Sequence, residues 1–349
     1  MFSIRFSLLL ALLPVYLPAQ LVRITPLGLK TGELCFSDRA MILEDPTGLR
    51  ILYDPGVVVA GSPDARLGTI HVMLLSHVHQ DHIGTIRLNQ DPDVATAACD
   101  RSFARVPALP NSNLAEIAAR KNAAFIATPP VTSFVGVRMG KVLGVAVGVC
   151  GGDQASTAPL VVPPTAPCVS PLNFGGKRAV RLAGATDGVQ IAVVTAKHDN
   201  TQETGLVFDP LGSDLAAQGL ALSAGDPAGF VITFSNGLTV YLSGDTGPTS
   251  DMRSVVRDMY RPNLAIVNMG DVFTSGPEEA AFEMNALVRP RAVIPSHVNE
   301  VATSGGRVIP GTKTERFLSL IEMKGYVPLS GRTMEFNRHG HCVAGCGSE

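Results

Sequence analysis

The sequence predicts an α/β protein with the architecture of an αββα sandwich, in which two mixed β-sheets pack together and helices flank them. Two observations indicate this class. Short apolar, β-branched runs are concentrated in two halves of the chain, roughly 21–135 and 180–330. Helical patterns lie between these runs, as is typical of helices that cover the outer face of a sheet.

Three segments carry the clearest helical patterns. Helices are predicted over Ser112 to Asn122 and over Pro277 to Val288. Two glutamates in the first turn of the second segment favour a helix N-terminus, because the helix dipole stabilises negative charge there. A last helix is predicted over Thr314 to Lys324, and Gly325 is expected to end it.

The most informative local feature is a dense cluster of polar residues, His77-Val78-His79-Gln80-Asp81-His82, directly after an apolar run. The whole chain has eight histidines, and three of them lie here. His and Asp side chains are costly to bury together unless each has a partner. Imidazoles and a carboxylate at this spacing can hold two metal ions side by side, so the cluster predicts a metal site.

Three further candidate ligands follow apolar, strand-like runs by a few residues: His198, Asp245 and His297. Taken singly, each residue type is more common in a hydrogen-bonded loop or a turn. Together they repeat the context of the first cluster, with a polar side chain at the end of a buried strand. A site built on loops that a rigid sheet holds in place has this pattern.

Three longer segments carry a resemblance to a known family: Tyr241–Thr246 (YLSGDT), Gly270–Ala280 (GDVFTSGPEEA) and Ile294–His297 (IPSH). With the first cluster, they make the chain resemble a metallo-β-lactamase-fold hydrolase from about residue 21 to about 338. Within that superfamily, the chain is most similar to the ascorbate-6-phosphate lactonase-like branch. The resemblance implies seven metal ligands, with Asp245 shared between two ions: His77, His79, His198 and Asp245 for one, and Asp81, His82, Asp245 and His297 for the other.

The chain departs from that branch at three places. Leu27–Lys30 stands where the branch usually has a Gly-His pair. Ser275 and Val298 stand where the branch usually has Met and Tyr. These positions are expected to touch the substrate pocket rather than the metals.

Histidine nitrogens and carboxylate oxygens suit two divalent ions, Zn²⁺ before Mn²⁺ or Fe. Asp245 is expected to bridge the ions, and a hydroxide between them to act as the nucleophile. Asp81 is the candidate catalytic carboxylate, which orients this hydroxide and moves its proton. Asp54 and Asp271 are candidates for orienting ligand histidines. For Asp54, a plain Asp-Pro-Gly turn is an equal alternative.

Three functions stay open at this stage. The leading one is a metal-dependent hydrolase of a small ester-like substrate, in the lactone or phosphodiester class. The second is a mononuclear iron oxygenase of sulfur compounds, a chemistry that the same fold hosts. The third is a non-catalytic metal-binding protein. Fold likeness does not select among substrates, and the oligomeric state cannot be deduced from the sequence.

Composition argues against one class of partner. The chain has 28 Lys and Arg against 30 Asp and Glu, a formal net charge of −2, and it contains no Trp. A nucleic-acid-binding surface would be basic, so a small molecule is the expected partner rather than nucleic acid. A zinc β-lactamase with a thiolate ligand would require Cys in place of Asp245.

Residues 1–19 are interpreted as a signal peptide, with an apolar stretch from Leu8 to Leu17 and a cleavage site after Ala19. The apolar stretch is too short to span a membrane. No Cys lies at the cleavage site, so a lipid anchor is not expected. The mature protein is therefore expected to be periplasmic or secreted, with no stable membrane anchor.

The remainder is interpreted as one domain, 20–338, followed by a Cys/His tail, 339–349. Two stretches look like loop insertions, 140–176 and 200–228, and one or both are hypothesised to form a lid over the site. The chain has six cysteines, and their pairing cannot be deduced from sequence. A disulfide between Cys150 and Cys168 would stabilise the first insertion.

Overall fold

The computed structural model of the protein describes residues 20–202 and 206–347. In chain order its strands are β1 (Val22–Leu27), β2 (Ala40–Glu44), β3 (Arg50–Tyr53), β4 (Val72–Leu74), β5 (Ile86–Leu88), β6 (Arg105–Pro107), β7 (Ala124–Ala127), β8 (Leu160–Val162), β9 (Cys168–Pro171), β10 (Lys177–Leu182), β11 (Val189–Thr195), β12 (Thr201–Gln202), β13 (Leu222–Ser223), β14 (Ala228–Thr233), β15 (Thr239–Leu242), β16 (Leu264–Asn268), β17 (Ala292–Ser296), β18 (Thr303–Ser304), β19 (Arg307–Val308), β20 (Lys324–Gly325), β21 (Met334–Phe336) and β22 (Cys342–Ala344). Its α-helices are α1 (Gln80–Ile83), α2 (Asn113–Arg120), α3 (Pro129–Leu143), α4 (Leu211–Ala217), α5 (Pro277–Phe282) and α6 (Lys313–Leu320). Two π-helical segments cover Met252–Tyr260 and Glu283–Val288.

Two eight-stranded mixed sheets carry the architecture. The first has the order β22-β21-β1-β2-β3-β4-β7-β9, and the second has the order β20-β17-β16-β15-β14-β11-β10-β8. The predicted division into two halves is therefore correct in outline. The C-terminal strands are an exception, because β21 returns to pair antiparallel with β1 in the first sheet.

The largest apolar cluster lies between the two sheets, where side chains of alternate positions on facing strands meet. Ile24 and Tyr53 of the first sheet and Phe230 and Ile266 of the second belong to it. A second cluster joins α2 and α3 to the outer face of the first sheet. A third joins α5, α6 and the π-helical segments to the outer face of the second sheet. This layering confirms the predicted αββα sandwich.

The predicted helices are observed, and one boundary is wrong by more than two residues. Ser112 caps α2, and its Oγ accepts a hydrogen bond from Ala115 N at 3.1 Å. The helix predicted from Pro277 is α5, which continues as a π-helical segment to Val288. The last helix ends at Leu320 instead of Lys324, and Gly325 does not terminate it. Gly325 lies in β20, where pairing with β17 requires extended backbone.

The first proposed insertion, 140–176, belongs to the sandwich itself. Its strand β8 pairs parallel with β10 in the second sheet, and its strand β9 pairs parallel with β7 in the first. Each forms an edge strand of its sheet. The lid hypothesis therefore depends on 200–228, which forms α4 and the small sheet of β12 and β13 within its described part.

Three disulfides join the six cysteines as Cys35–Cys99, Cys150–Cys168 and Cys342–Cys346. The predicted signal peptide, 1–19, lies outside the described residues. Within residues 20–202 and 206–347, no helix is long and apolar enough to cross a membrane.

Candidate metal centre

The predicted ligands converge at one edge of the two sheets, because each follows the carboxyl end of a strand. The loop after β4 leads through His77 and His79 into the short helix α1, which carries Asp81 and His82. His198 follows β11, Asp245 follows β15, and His297 follows β17. The sheets hold these loops against each other, so residues separated by more than 200 positions in sequence come into contact.

Three histidines form the first ligand group: His77, His79 and His198. Their candidate ligand atoms lie within 4.8 Å of one another. His198 Nε2 lies 3.2 Å from His79 Nδ1. His77 Nε2 is buried and has no hydrogen-bond partner among the described residues. Ring nitrogens that point at a common space in this way fit a metal ion, since each neutral imidazole has one lone pair to donate.

The second ligand group comprises Asp81, His82 and His297, and their candidate ligand atoms also lie within 4.8 Å of one another. The carboxylate of Asp245 lies between the two groups. Its Oδ2 is 3.2 Å from His297 Nε2, 3.4 Å from His82 Nε2 and 3.8 Å from His198 Nε2. A single carboxylate at this position can contribute to both groups.

The electrostatics of the centre fit a cation. Burial alone would disfavour a charged His82, yet the carboxylates of Asp245, Asp81 and Asp54 raise the pKa of its imidazole to about 10. Burial lowers the pKa of His77 well below its usual range, so this ring is neutral and its lone pair is free to bind a metal. Carboxylate oxygens and imidazole nitrogens clustered in this way are the donor set of divalent zinc, manganese or iron.

Asp245 and Asp81 are held in the ionised state. Burial would raise the pKa of the Asp245 carboxyl, but the imidazoles of His297 and His82 hold it well below its usual range. Desolvation would likewise raise the pKa of Asp81, and the charges of Arg39 and His82 outweigh it and lower the pKa. Both carboxylates therefore present anionic oxygens to the centre.

Backbone conformation at the centre is unusual for non-glycine residues. His297 has φ 51° and Asp54 has φ 40°, in the left-handed region that costs of order 1 kcal/mol for most side chains. Gly244, next to Asp245, has φ 62°, and a Cβ there would lie 2.6 Å from Ala228 O. These unusual conformations therefore lie at a ligand and directly beside the ligand set.

Asp54 contacts a ligand histidine, which is one of the two roles that its sequence context allows. It follows β3 and is buried, with an exposed fraction of 1%. Its Oδ2 accepts a hydrogen bond from His82 Nδ1 at 2.8 Å, and its two oxygens accept from Ser76 N and Ser76 Oγ at 2.8 and 2.6 Å. This bond fixes the ring orientation of His82 and leaves Nε2 facing Asp245 and the ligand group.

Asp271 does not orient a ligand histidine, so that prediction is wrong. Its carboxylate accepts a hydrogen bond from Val272 N at 2.8 Å, within its own loop. His297 Nδ1, the nearby candidate partner, is buried without a hydrogen-bond partner in the described part of the chain. Gly270 packs there instead, since a Cβ at Gly270 would lie 2.8 Å from His297 Nδ1.

Ser275 and Val298, which are expected to touch the substrate pocket, are both buried. Val298 is fully buried among the helices of the second sheet. Ser275 is buried, and its hydroxyl donates a short hydrogen bond to the carboxyl group of Glu283. His71 lies outside the centre and is buried directly before β4, where its Nδ1 accepts a hydrogen bond from Arg50 N at 3.0 Å.

Three residues near the ligands were missed from the sequence. Asn200 Oδ1 accepts from Val78 N at 2.9 Å and so connects the ligand loop to the segment 200–228. Phe273 O lies 3.1 Å from His198 Nδ1 and can accept its proton in a hydrogen bond. Arg39 reaches Asp81 and His297 from the loop before β2. No periodicity marks these residues, because loop contacts depend on the assembled fold.

Comparison with known proteins places this centre in a superfamily. Residues 34–297 match the beta-lactamase superfamily domain, so the chain belongs to this superfamily and has the metallo-β-lactamase fold. It is 27% identical over 290 residues to a UPF0173 metal-dependent hydrolase of Cupriavidus necator, covering 80% of this chain and 79% of that protein. A UPF0173 metal-dependent hydrolase of Polynucleobacter asymbioticus is 26% identical over 280 residues, which cover 77% and 75% of the two chains.

A solved structure supports the fold independently. The metallo hydrolase Igni18 from the hyperthermophilic archaeon Ignicoccus hospitalis superposes with a TM-score of 0.54 at 21% identity. The alignment covers 91% of this chain and 99% of that chain. At this level of identity the likeness shows a shared architecture, and the chemistry must be argued from the residues of this chain.

Proposed function

We propose that this chain is a metal-dependent hydrolase of a small ester-like substrate, in the lactone or phosphodiester class. The observation that carries the proposal is the convergence of two ligand groups on one carboxylate, Asp245. Similarity to UPF0173 metal-dependent hydrolases supports the hydrolytic reaction. The resemblance to the ascorbate-6-phosphate lactonase-like branch supports a lactone as the first substrate class to test.

The residues of the centre fit two divalent ions, with zinc first among the candidates. The first ion would be held by His77, His79, His198 and Asp245, and the second by Asp81, His82, Asp245 and His297. When bound, such ions supply Lewis acidity, which polarises a carbonyl or phosphoryl oxygen and makes water acidic near neutral pH. Proton transfer and the orientation of the ligands depend on side chains of the protein.

Asp81 is the candidate proton carrier in this reaction. Its side chain is 43% exposed, so it faces the mouth of the centre, and its carboxylate is ionised. An ionised carboxylate there can accept a proton from the attacking water and return it to the leaving group. Asp54 keeps His82 in one orientation during this exchange, through the 2.8 Å contact to His82 Nδ1.

Two apolar side chains border the centre and favour a substrate with an apolar part. Val272 is 86% exposed and Phe273 is 81% exposed, in the loop whose backbone contacts His198. Adjacent apolar side chains beside a few polar groups are typical of the lining of a small-molecule site. We infer that this pair contacts the substrate on the side away from the scissile bond.

Three disulfides support an oxidising location, so the proposed compartment stays the periplasm or the extracellular space. Expression of the full chain in a Gram-negative host, followed by fractionation and N-terminal sequencing, tests this. Protein that begins near Gln20 in the periplasm or medium supports export, and uncleaved protein in the cytoplasm refutes it.

The activity itself is tested on a panel of lactones, phosphodiesters and β-lactams, with purified protein loaded with Zn²⁺ or Mn²⁺. We expect hydrolysis of at least one class, inhibition by a chelator, and recovery on adding metal. His79→Ala and Asp245→Ala should each lower kcat/KM by roughly 100-fold or more. His339→Ala, which alters an exposed histidine of the tail, should not. Hydrolysis that survives in both ligand variants would contradict the proposal.

A further inference from the structure

The metal centre contains a cation of its own, Arg39. This side chain lies in the loop before β2 and has an exposed fraction of 5%. Its Nη1 donates a short hydrogen bond to Asp81 Oδ2 and lies 2.7 Å from His297 Nε2. A guanidinium group has only donors, so His297 Nε2 is the acceptor in this contact. Both partners are members of the second ligand group.

Arg39 contacts the two ligand groups unequally. Within the residues that the structure describes, its hydrogen bonds go to Asp81, His297 and Ser37 O, and none goes to the three histidines of the first group. His77 and His79 instead contact Ser76 and His198. One half of the centre is therefore already paired with a positive charge, and the other half is not.

The loop that carries Arg39 is fixed in place. Asp38, its neighbour, is buried and accepts hydrogen bonds from Leu29 N at 2.9 Å and Cys35 N at 2.8 Å. Cys35 is bonded to Cys99. Arg39 Nε also donates to Ser37 O at 3.3 Å. These contacts hold the guanidinium against the second ligand group, so its position there is part of the fold.

A lone pair that accepts an N–H from Arg39 cannot bind a metal ion at the same time. The guanidinium also carries a positive charge, so it repels a second cation. We propose that Arg39 competes with the second metal ion, so that the centre binds one ion tightly and a second only by displacing Arg39. This inference rests on the metal centre assigned under the proposed function, and it goes beyond it by making the two halves unequal.

The competition predicts the effect of removing the charge. In Arg39→Met, which keeps much of the length and loses the positive charge, Asp81 and His297 are released to the second ion. The affinity for the second ion should rise by roughly tenfold or more, the effect expected when one repulsive unit charge leaves a site shielded from water. The affinity for the first ion should change by a smaller factor, since the hydrogen bonds of Arg39 go to the second group.

The experiment is a titration of the full metal-free chain with ZnCl₂, and separately MnCl₂, followed by calorimetry and by metal analysis after gel filtration. The matched control is Arg50→Met. Arg50 is a partly buried arginine paired with Glu44 at 2.7 Å on β3, outside the centre. We expect two binding steps of unequal affinity in the parent chain and in Arg50→Met. In Arg39→Met the affinities of the two steps should lie closer together. If Arg39→Met does not fold by circular dichroism, Arg39→Gln carries the same prediction.

Two results would overturn the inference while leaving the metal centre intact. One is an affinity for the second ion that is the same in Arg39→Met as in the parent chain. The other is a weaker second step, which would mean that Arg39 supports Asp81 as a ligand rather than competing for it. Absence of any bound ion in all variants would instead refute the metal centre itself. The binding readouts are independent of catalysis, so failure to find a substrate does not affect them.

Discussion

Replacing Asp54 by Asn tests whether the centre depends on residues that never touch a metal. The change keeps the shape of the side chain and one oxygen, so the 2.8 Å bond from Ser76 N can survive. In the parent chain, Asp54 Oδ2 lies 2.8 Å from His82 Nδ1. In the variant, an NH₂ donor takes the place of that oxygen and faces the same ring nitrogen. A donor there removes the contact that orients the ring.

The magnitude follows from what is lost in a site that is 1% exposed. A buried hydrogen bond to a charged group contributes about 1.5–3 kcal/mol, so the free energy of unfolding should fall by about 2–3 kcal/mol. Loss of a bond that orients a ligand histidine costs about 10- to 100-fold in metal affinity, equivalent to about 1.4–2.7 kcal/mol. Urea unfolding of the metal-free chain measures the first quantity, and zinc titration against a chelating dye measures the second.

Asp45→Asn is the matched control, because Asp45 is also 1% exposed but lies outside the centre. Its oxygens accept from Ser235 N at 2.7 Å, Ser235 Oγ at 2.8 Å and Thr47 N at 2.9 Å. Both variants should lose similar stability, and only Asp54→Asn should lose metal affinity. Equal metal affinity in the two variants would refute the reasoning about Asp54.

Three further predictions address other parts of the molecule. Burial raises the pKa of Glu283 to about 8 in the folded chain, from 4.5. Between these two pH values the folded chain keeps a proton that the unfolded chain has lost. The free energy of unfolding should therefore fall as pH rises from about 5 to 8. Glu283→Gln should remove that fall and gain up to a few kcal/mol at pH 8 in urea unfolding, and an unchanged pH slope would contradict this. Phe273→Ala should raise KM for the best apolar substrate by roughly threefold to tenfold with little change in kcat, and a loss confined to kcat would contradict a binding role. The double variant Cys35→Ser/Cys99→Ser opens a loop with a sequence separation of 64 and should lose about 4 kcal/mol in unfolding free energy, whereas equal denaturation midpoints would show that this link does not stabilise the fold.

The ligand side chains were predictable because their chemistry is rare in a core and their sequence context repeats. His77, His198, Asp245 and His297 each follow a strand of buried apolar residues, and the carboxyl ends of these strands meet at one edge. The fold class was predictable for a related reason, since strand-like runs are dense in each half of the chain. Neither inference required knowledge of a loop conformation.

The sequence-based predictions are wrong where tertiary contacts determine the local structure. The stretch 140–176 is rich in Gly and Pro, which predicts an insertion, yet it contains two strands of three and four residues, and each pairs with a different sheet. Gly325 follows a helix-like pattern, but pairing with β17 gives it extended backbone. Short strands at a sheet edge are specified by their neighbours more than by their own side chains.

Arg39 and Asp271 show the same limit within the centre. Arg39 is the residue between Asp38 and Ala40 in an irregular loop, and only the folded chain brings it to His297, 258 positions away. Asp271 lies in a segment that matches the family pattern, but its backbone has φ 67° and its carboxylate accepts a hydrogen bond within its own loop. Sequence identifies which residue types can bind a metal, and the backbone decides which of them face it.

The most direct test of the account is the metal content of the full chain after purification and exposure to excess zinc. We predict at least about one tightly held ion per chain, approaching about two at high zinc, as the two ligand groups around Asp245 require. His79→Ala and Asp245→Ala should lower this content, and His339→Ala should not. A parent chain that folds and binds no metal, or an Asp245→Ala chain that binds as much as the parent, would contradict the central claim.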